Sequence, residues 1–512
     1  MLFNSAEFLF AFMPLSLLGY FLLGRMGGPA SRAWLCVASL AFYAWWNPAF
    51  LIILVCSILF NYGISILIGR SDGRARTGWL AVGTTVNLIA LAYYKYAGWL
   101  VSVLIGAGLP ITPLSEILLP LGISFFTFTQ IGYLIDVKEG VAKERGFLNY
   151  VLFVTFFPHL IAGPILHHRE IMPQFADRTI DRFDRGHFSI GLTVFLLGLF
   201  KKTIIADGLS PIVAAGYAQG GSIDATTAWI TILAYVAQLY FDFSGYSDMA
   251  IGIARMFNVR FPLNFNSPYK AQNISDFWQR WHMTLTRYLN AYLYNPVAIP
   301  MTRKLLTGAP KGTNPLATLR GFLLTIAVPT FWTMTLAGIW HGAGTQFLIF
   351  GLLHATFITV YRMWATWGPK RRKFRKGEPI DLRERLTIAG AVLLTMLCWA
   401  VSDVFFRAPD MASAFLMLKA AAGLHVPTMA VRNPDLVRQV GLLALLFAMM
   451  WFCPNVYEIM GPDSPALGKL KTVAPRWLQW RPSVGWAMSV GLVGVVAIVA
   501  IGRTTEFLYF QF

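Results

Sequence analysis

The residue of this sequence best suited to chemistry is a histidine within an uncharged stretch. His341 lies in the run Gly338-Ile339-Trp340-His341-Gly342-Ala343-Gly344, in the middle of residues 321–361, which contain no charged side chain. An ionisable group in such apolar surroundings is costly, and it indicates either a functional site or a hydrogen bond to a neighbouring helix. The glycines around it would let a helix break and open the imidazole to a cavity.

A second histidine, His282, lies in an amphipathic pattern. Residues 274–289 repeat apolar side chains at helical spacing, which predicts one helix lying at the membrane interface or against a bundle. His282 falls on the apolar stripe with Trp278 and Leu285, away from Arg280. Two interpretations stay open for it: a packed, hydrogen-bonded histidine, or a group that acts on a substrate.

Three further polar groups raise the same question. His354 would lie about 20 Å beyond His341 along a continuous helix, so we interpret it as structural unless the glycines turn the chain. Asp242 and Tyr246 interrupt an apolar run, where they would either form buried hydrogen bonds between helices or line a polar tunnel. Hydrogen bonding between helices is the simpler interpretation.

No group of residues has the spacing of a metal site. The cluster 167–170 (His-His-Arg-Glu) lacks the spacing of helical ligand pairs, so we interpret it as solvated surface. The 4 cysteines form no C-x-x-C pair. The sequence also lacks the motifs of serine hydrolases, P-loop NTPases and soluble acyltransferases. We therefore predict neither a metal nor a bound cofactor.

The elements that must position these residues are membrane helices. Of the 512 residues, 56% are hydrophobic and 13% are charged, more apolar material than one soluble core can hold. This composition excludes a disordered chain, a collagen and a disulfide scaffold. It predicts an all-α polytopic membrane protein with about 10–13 membrane helices, some re-entrant or interfacial, in a single domain over residues 1–512. The apolar runs lie at 6–24, 33–46, 49–68, 78–105, 119–135, 149–165, 188–206, 226–253, 321–340, 344–361, 386–406, 440–453 and 484–502.

Most of the net charge of +18 comes from two stretches. Residues 254–320 hold nine basic residues and one acidic residue, and residues 370–385 hold eight basic and three acidic residues. The uncharged residues 321–361 between them are long enough for two membrane crossings, so both stretches are predicted to be cytoplasmic. The charge either signals topology alone or forms a surface for anionic lipid or a phosphorylated substrate. Because topology accounts for it, we predict no nucleic-acid partner.

The order of motifs resembles the membrane-bound O-acyltransferase (MBOAT) family, in particular a bacterial branch whose members O-acetylate alginate or transfer D-alanine to teichoic acid. The resemblance runs almost from end to end. It rests on the strings MLFNS (1–5), YYKY (93–96), LPLGISFFTF (119–128), FFPHLIAGP (156–164), FDFSGYSDM (241–249), FPLNF (261–265), DFWQRWH (276–282), IWHG (339–342) and FFR (405–407).

The resemblance implies roles for residues and partners. The family's catalytic histidine corresponds to His341, and its second histidine corresponds to His282. Substrate-binding candidates, which come from the same motifs, are Asp242, Tyr246, Asn264, Trp278, Arg280 and Trp340. The implied reaction is O-acetylation of an extracytoplasmic polysaccharide, alginate-like or another cell-surface glycan. The donor would be acetyl-CoA from the cytoplasm, and His341 would be the general base.

The resemblance also implies a location and partners. The protein is expected in the bacterial inner membrane, beside a periplasmic SGNH-type acetyltransferase partner and polysaccharide machinery. Two alternatives stay open: transfer of D-alanyl or another acyl group to a cell-envelope polymer, and a polysaccharide exporter or flippase component without chemistry.

Overall fold

In a computed structural model, the regular elements of the part that the structure describes are all helices, apart from one isolated bridge between Pro262 and Leu467. The described residues are 1–115, 117–310, 313–369, 381–428, 433–468, 470, 472–502 and 508. Most of the basic stretch 370–385 lies outside them. The predicted all-α polytopic fold is confirmed, and helices occur at every predicted apolar run.

Six of the described helices are long and apolar enough to cross a membrane: Pro48–Arg70, Gly73–Gly106, Arg185–Ala218, Leu319–His341, Thr345–Trp367 and Leu382–Arg407. A seventh results if Leu436–Phe452 and Val456–Asp463 count as one span. Shorter apolar helices are Phe8–Gly24, Met411–Ala421 and Val484–Val499. The protein is therefore a multi-pass membrane protein, whereas the number of crossings and the single domain stay predictions.

The chain divides into two compact units. The first comprises residues 1–207, 241–263 and 455–511. Its helices are Phe8–Phe12, Met13–Gly24, Gly28–Ala44, Pro48–Arg70, Gly73–Leu91, Ala92–Tyr96, Ala97–Gly106, Ile123–Lys138, Phe147–Thr155, Phe157–Leu160, His168–Ala176, Arg185–Phe200, Lys201–Ala206, Val456–Met460 and Val484–Val499. Buried amides join some of these helices: Asn61 and Asn87 each donate to the other's side-chain oxygen, at 3.1 and 2.7 Å.

The second unit comprises residues 208–240 and 264–454. Its helices are Ile274–Trp278, Met283–Leu289, Asn290–Tyr294, Asn295–Thr307, Leu319–Phe322, Leu323–Ala327, Val328–His341, Thr345–Trp367, Leu382–Arg407, Met411–Ala421 and Leu436–Phe452. Helix Asp207–Ala218 belongs to it from Gly208, and helix Ala225–Met256 belongs to it up to Tyr240. The helices on either side of Gly342–Gly344 pack against each other, so the uncharged stretch is a helical hairpin.

One predicted element is wrong. Residues 274–289 do not form one helix, because the chain turns between Trp278 and Met283 and only then resumes a helix. His282 lies at this turn with φ 42° and ψ 52°, in the left-handed region. A continuous helix cannot pass through that conformation. The apolar residues do follow helical spacing, but Asn264, which is distant in sequence, binds His282 and Thr284 and holds the turn between the two helices.

Candidate active site

His341 is the last residue of helix Val328–His341, directly before the hairpin turn. The next helix starts at Thr345, and its Phe347 ring lies where a Cβ atom on Gly342 would be. Any larger residue at position 342 would displace that ring. The glycine therefore permits a turn so tight that the second helix begins beside the imidazole.

Aromatic rings surround the His341 side chain, which is 7% exposed. Ring centroids lie 4.9 Å from Trp340, 5.1 Å from Phe406 and 5.9 Å from Phe350, all in edge-on geometry. Trp340 was predicted to bind substrate, and it contacts the histidine from the preceding position. Such walls exclude water and disfavour a charged imidazolium.

His354 shares the Phe350 wall with His341, because the Phe350 ring lies 4.6 Å from its imidazole. Its Nδ1 accepts a hydrogen bond from Trp278 Nε1 at 3.3 Å, so the proton of a neutral ring is on Nε2. Nε2 lies 2.9 Å from Ser402 Oγ, which in turn donates to the Trp399 carbonyl oxygen at 2.8 Å. Both ring nitrogens of His354 are thus occupied, which supports the structural interpretation.

His282 is held by a side chain 18 positions earlier. Its Nδ1 lies 3.0 Å from Asn264 Oδ1, and the same oxygen accepts hydrogen bonds from the Thr284 hydroxyl at 2.8 Å and from the Thr284 backbone N–H. Because a backbone N–H only donates, the Asn264 atom must be oxygen, and His282 Nδ1 must carry the proton. Nε2 then bears the lone pair of the neutral ring. Burial lowers the pKa of His282 to about 3, so the ring is neutral at ordinary pH.

A cluster of rings connects the two family motifs within this unit. The cluster consists of Phe350, His354, Trp278, Trp399 and Trp281. Trp399 has its centroid 5.4 Å from His354, 6.1 Å from Trp278 and 4.7 Å from Trp281, the neighbour of His282. Phe350 also contacts His341, so His341 of the motif IWHG and the tryptophans of the motif DFWQRWH belong to one packed core.

A cavity of about 160 Å³ opens beside Trp278. Its walls combine apolar groups with hydroxyl and amide groups and one cation, from Ser275, Trp278, Gln279, Thr286, Leu289, Asn290, Tyr294, Thr330, Thr333, Met334, Ile358 and Arg362. Thr333 precedes His341 by two helical turns, a rise of about 12 Å. Arg362 is the first charged residue after the uncharged stretch. Sequence reasoning missed both Arg362 and this cavity.

The remaining candidates have other surroundings. Arg280 Nε lies 2.9 Å from Asp276 Oδ1, in a half-exposed pair one helical turn apart. In the first unit, Asp242 forms an ion pair with Lys202 at 2.6 Å, and Lys202 also contacts Asp207 at 2.7 Å. Asp242 is therefore part of a buried ion-pair cluster. Lys202 was missed, although two adjacent lysines within an apolar helix were a visible signal.

Tyr246 also lies in the first unit. Its ring stacks on Phe3 with centroids 4.7 Å apart, and its side chain is buried. The family resemblance assigned it to a substrate path, but its ring contacts the start of the chain. The structure thus places Asp242 and Tyr246 in a packed interior.

The interpretation of residues 167–170 as solvated surface is wrong for His168. This side chain is 3% exposed, and its Nδ1 lies 3.0 Å from Asp136 Oδ2. The carboxylate comes from helix Ile123–Lys138, which no local spacing could indicate. Within the described residues, His, Cys and carboxylate groups form no cluster of three that could hold a metal ion.

The chain has clear relatives. The model of the membrane-bound O-acyltransferase family, MBOAT, matches residues 135–307. A peptidoglycan O-acetyltransferase of Helicobacter pylori is 39% identical over 83% of this chain and 80% of its own length. A probable alginate O-acetylase, AlgI, of Pseudomonas aeruginosa is 35% identical over 100% of both chains. A teichoic acid D-alanyltransferase of Bacillus subtilis is 28% identical over 49% of this chain and 60% of its own.

Proposed function

The chain belongs to the membrane-bound O-acyltransferase family and is an O-acyltransferase, and from this premise we propose that it transfers an acetyl group from acetyl-CoA for O-acetylation of an extracytoplasmic polysaccharide. The names of its relatives support a glycan as the final acceptor, because two of them are a peptidoglycan O-acetyltransferase and a probable alginate O-acetylase. The site of action would be the inner membrane of a bacterium.

The observation that carries the mechanism is the placement of His341 at the hairpin turn, inside aromatic walls. A general base must be neutral before it acts, and apolar walls favour the neutral imidazole. His341 would take the proton of the acceptor hydroxyl while the hydroxyl oxygen attacks the thioester carbonyl carbon. The C–S bond then breaks, and the departing thiolate takes the proton from the imidazolium. The reaction yields an ester and free CoA, with no net proton uptake.

His282 would hold a reactant in place. Its Nδ1–H is committed to Asn264, so the ring orientation is fixed and Nε2 is the acceptor nitrogen. A hydroxyl or amide of the bound reactant would donate to that nitrogen. In this role Asn264 acts through His282 and is a positioning residue.

The cavity beside Trp278 offers a route for the donor. Its wall of hydroxyl, amide and apolar groups matches the alternating amides and methylenes of the pantetheine arm of CoA. Arg362 would pair with a phosphate of the donor. The rise of about 12 Å from Thr333 to His341 is a distance that the arm can cover.

Partners follow from the family resemblance. A periplasmic SGNH-type acetyltransferase would receive the acetyl group or complete its transfer to the polymer, together with the polysaccharide machinery. D-alanyl transfer is the second candidate, and the teichoic acid D-alanyltransferases favour it at lower identity and over half the chain. Acetyl transfer is preferred because the relatives named O-acetyltransferase or O-acetylase match at higher identity and over more of the chain than the D-alanyltransferases do.

The test is a radiolabelled acetyl-CoA assay with purified protein in liposomes. Wild type is compared with His341→Ala and with the control His425→Ala, whose ring contacts the Gly221 carbonyl oxygen away from the hairpin. We expect CoA release and label transfer to fall about 10²–10⁴-fold in His341→Ala, as for loss of a general base, and to persist in the control. Equal activity of His341→Ala and wild type would refute the proposed base.

A further inference from the structure

A groove of about 830 Å³ lies in the first unit, on the side of an apolar helix. One wall is the end of helix Met13–Gly24, and the other is the segment 181–188. The groove is lined by Leu17, Leu18, Phe21, Leu22, Gly24, Arg25, Asp181, Arg182, Phe183 and Phe188. Nothing in the acyl-transfer chemistry uses these residues.

The two walls are fixed to each other. The Tyr20 hydroxyl donates at 3.3 Å to the carbonyl oxygen of Ile180, the residue directly before the segment, and the Ser31 hydroxyl of the following helix donates to Asp181 Oδ1 at 2.7 Å. At Gly24 the Asp181 backbone oxygen lies so close that a Cβ atom would collide with it. The groove is therefore a built feature of the fold, with the backbone of Asp181 pressed against the helix end.

The groove is positively charged at one end. Arg25 follows the last residue of the helix, and Arg182 follows Asp181, so the close contact at Gly24 places both arginines at the same end. Both arginines are exposed, whereas Asp181 is buried and accepts the Ser31 hydrogen bond. The Arg182 carbonyl oxygen accepts from Asn258 Nδ2 at 2.7 Å, which fixes its backbone. Two guanidinium groups beside one buried carboxylate favour an anion.

The rest of the groove is apolar and open. Leu18 is 58% exposed, Leu22 47% and Phe183 54%. Phe21 and Phe183 meet edge to face with centroids 5.3 Å apart, which makes a rigid floor. Exposed leucines on an apolar helix face the hydrocarbon of the bilayer, and arginines at the end of such a helix lie at the level of the headgroups.

We propose that this groove binds an anionic phospholipid, with its phosphate between Arg25 and Arg182 and an acyl chain along Leu18 and Leu22. A free phosphate would leave the apolar wall uncovered, and an apolar partner helix would leave two arginines without a counter-ion. A phospholipid matches both ends of the groove, and its volume suits a headgroup with the upper part of a chain.

The experiment measures lipid binding by native mass spectrometry of the full chain in detergent, titrated with phosphatidylglycerol. The test variant is Arg25→Gln/Arg182→Gln. The matched control is Arg70→Gln/Arg74→Gln, which removes the same charge from two exposed arginines at ends of apolar helices, outside the groove. We expect the test variant to bind at least about tenfold more weakly, as for lost charge-assisted hydrogen bonds, and the control to bind as wild type.

Two further arms identify the ligand. Wild type should bind phosphatidylcholine more weakly than phosphatidylglycerol, and the test variant should bind the two lipids equally. Millimolar inorganic phosphate should not displace the bound lipid. The proposal is overturned if both double variants lose binding equally, which would indicate general attraction to positive charge. It is also overturned if neither loses binding or if inorganic phosphate competes fully. Acyl transfer does not enter the readout, so the result is independent of the proposed function.

Discussion

The two units solve the problem of buried polar groups in different ways. In the first unit, Lys202 lies between Asp207 and Asp242 with contacts of 2.7 and 2.6 Å, so two buried carboxylates share one buried cation. In the second unit, His341, His354 and His282 are buried among aromatic rings and amide or hydroxyl groups. Paired charges hold helices in fixed positions, whereas neutral imidazoles can exchange a proton. We therefore expect the lysine cluster to serve stability, and His341 and His282 to serve the proposed chemistry.

The largest effect on stability is expected at the lysine cluster. Lys202→Met would leave two buried carboxylates without their cation and should lower the free energy of unfolding by about 3–5 kcal/mol. Denaturant unfolding in detergent measures it, beside Lys143→Met, an exposed lysine. Equal stability of the two variants would show that the cluster does not hold the unit together.

The next largest effect is a pH dependence of the free energy of unfolding, which His282 causes. Its pKa is about 3 in the folded protein, so the unfolded chain, with a pKa near 6.5, binds the proton first as the pH falls. The stabilisation that the neutral His282 ring gives to the folded protein is present above pH 6.5 and is lost on acidification, by about 2 kcal/mol at pH 5. The difference in unfolding free energy between wild type and His282→Asn should shrink by this amount between pH 7.5 and pH 5. A difference independent of pH would contradict the neutral, buried ring.

Breaking the hydrogen bonds of His354 should have a smaller effect on stability. Ser402→Ala removes the partner of His354 Nε2 and leaves a buried donor, which should cost about 1.5 kcal/mol of stability. Acyl transfer per folded molecule should change little, because His354 is structural in this account. Ser489→Ala, where the hydroxyl is exposed, is the control. A large loss of transfer with normal stability in Ser402→Ala would make His354 a participant in the chemistry.

The smallest effect distinguishes the role of the backbone conformation at position 282 from the role of the His282 ring. Asparagine accepts the left-handed conformation better than alanine, so His282→Asn should be more stable than His282→Ala by about 1 kcal/mol. Both variants lack the ring nitrogen that would hold a reactant, so both should lose transfer. Retained transfer in His282→Asn would reduce His282 to a turn-forming residue.

Local pattern was enough for much of this molecule. The apolar runs gave the helices within a few residues, and the glycines around His341 gave the hairpin turn. The failures share one cause, namely partners distant in sequence. His282 takes its left-handed conformation because Asn264 binds it, and His168 is buried because Asp136 pairs with it. Lys202 and Asp242 were each visible as polar residues in apolar runs, but their pairing needed the fold.

Acetyl transfer is expected to depend on the His341 imidazole and not on the lysine cluster. The most direct measurement is the rate of acetyl transfer from acetyl-CoA per folded molecule, in liposomes that contain wild type, His341→Ala or Lys202→Met. We expect His341→Ala to fold and to lose transfer about 10²-fold or more, and Lys202→Met to be less stable yet to transfer at a near-normal rate when folded. Wild-type transfer by His341→Ala, or its loss in folded Lys202→Met, would contradict the account.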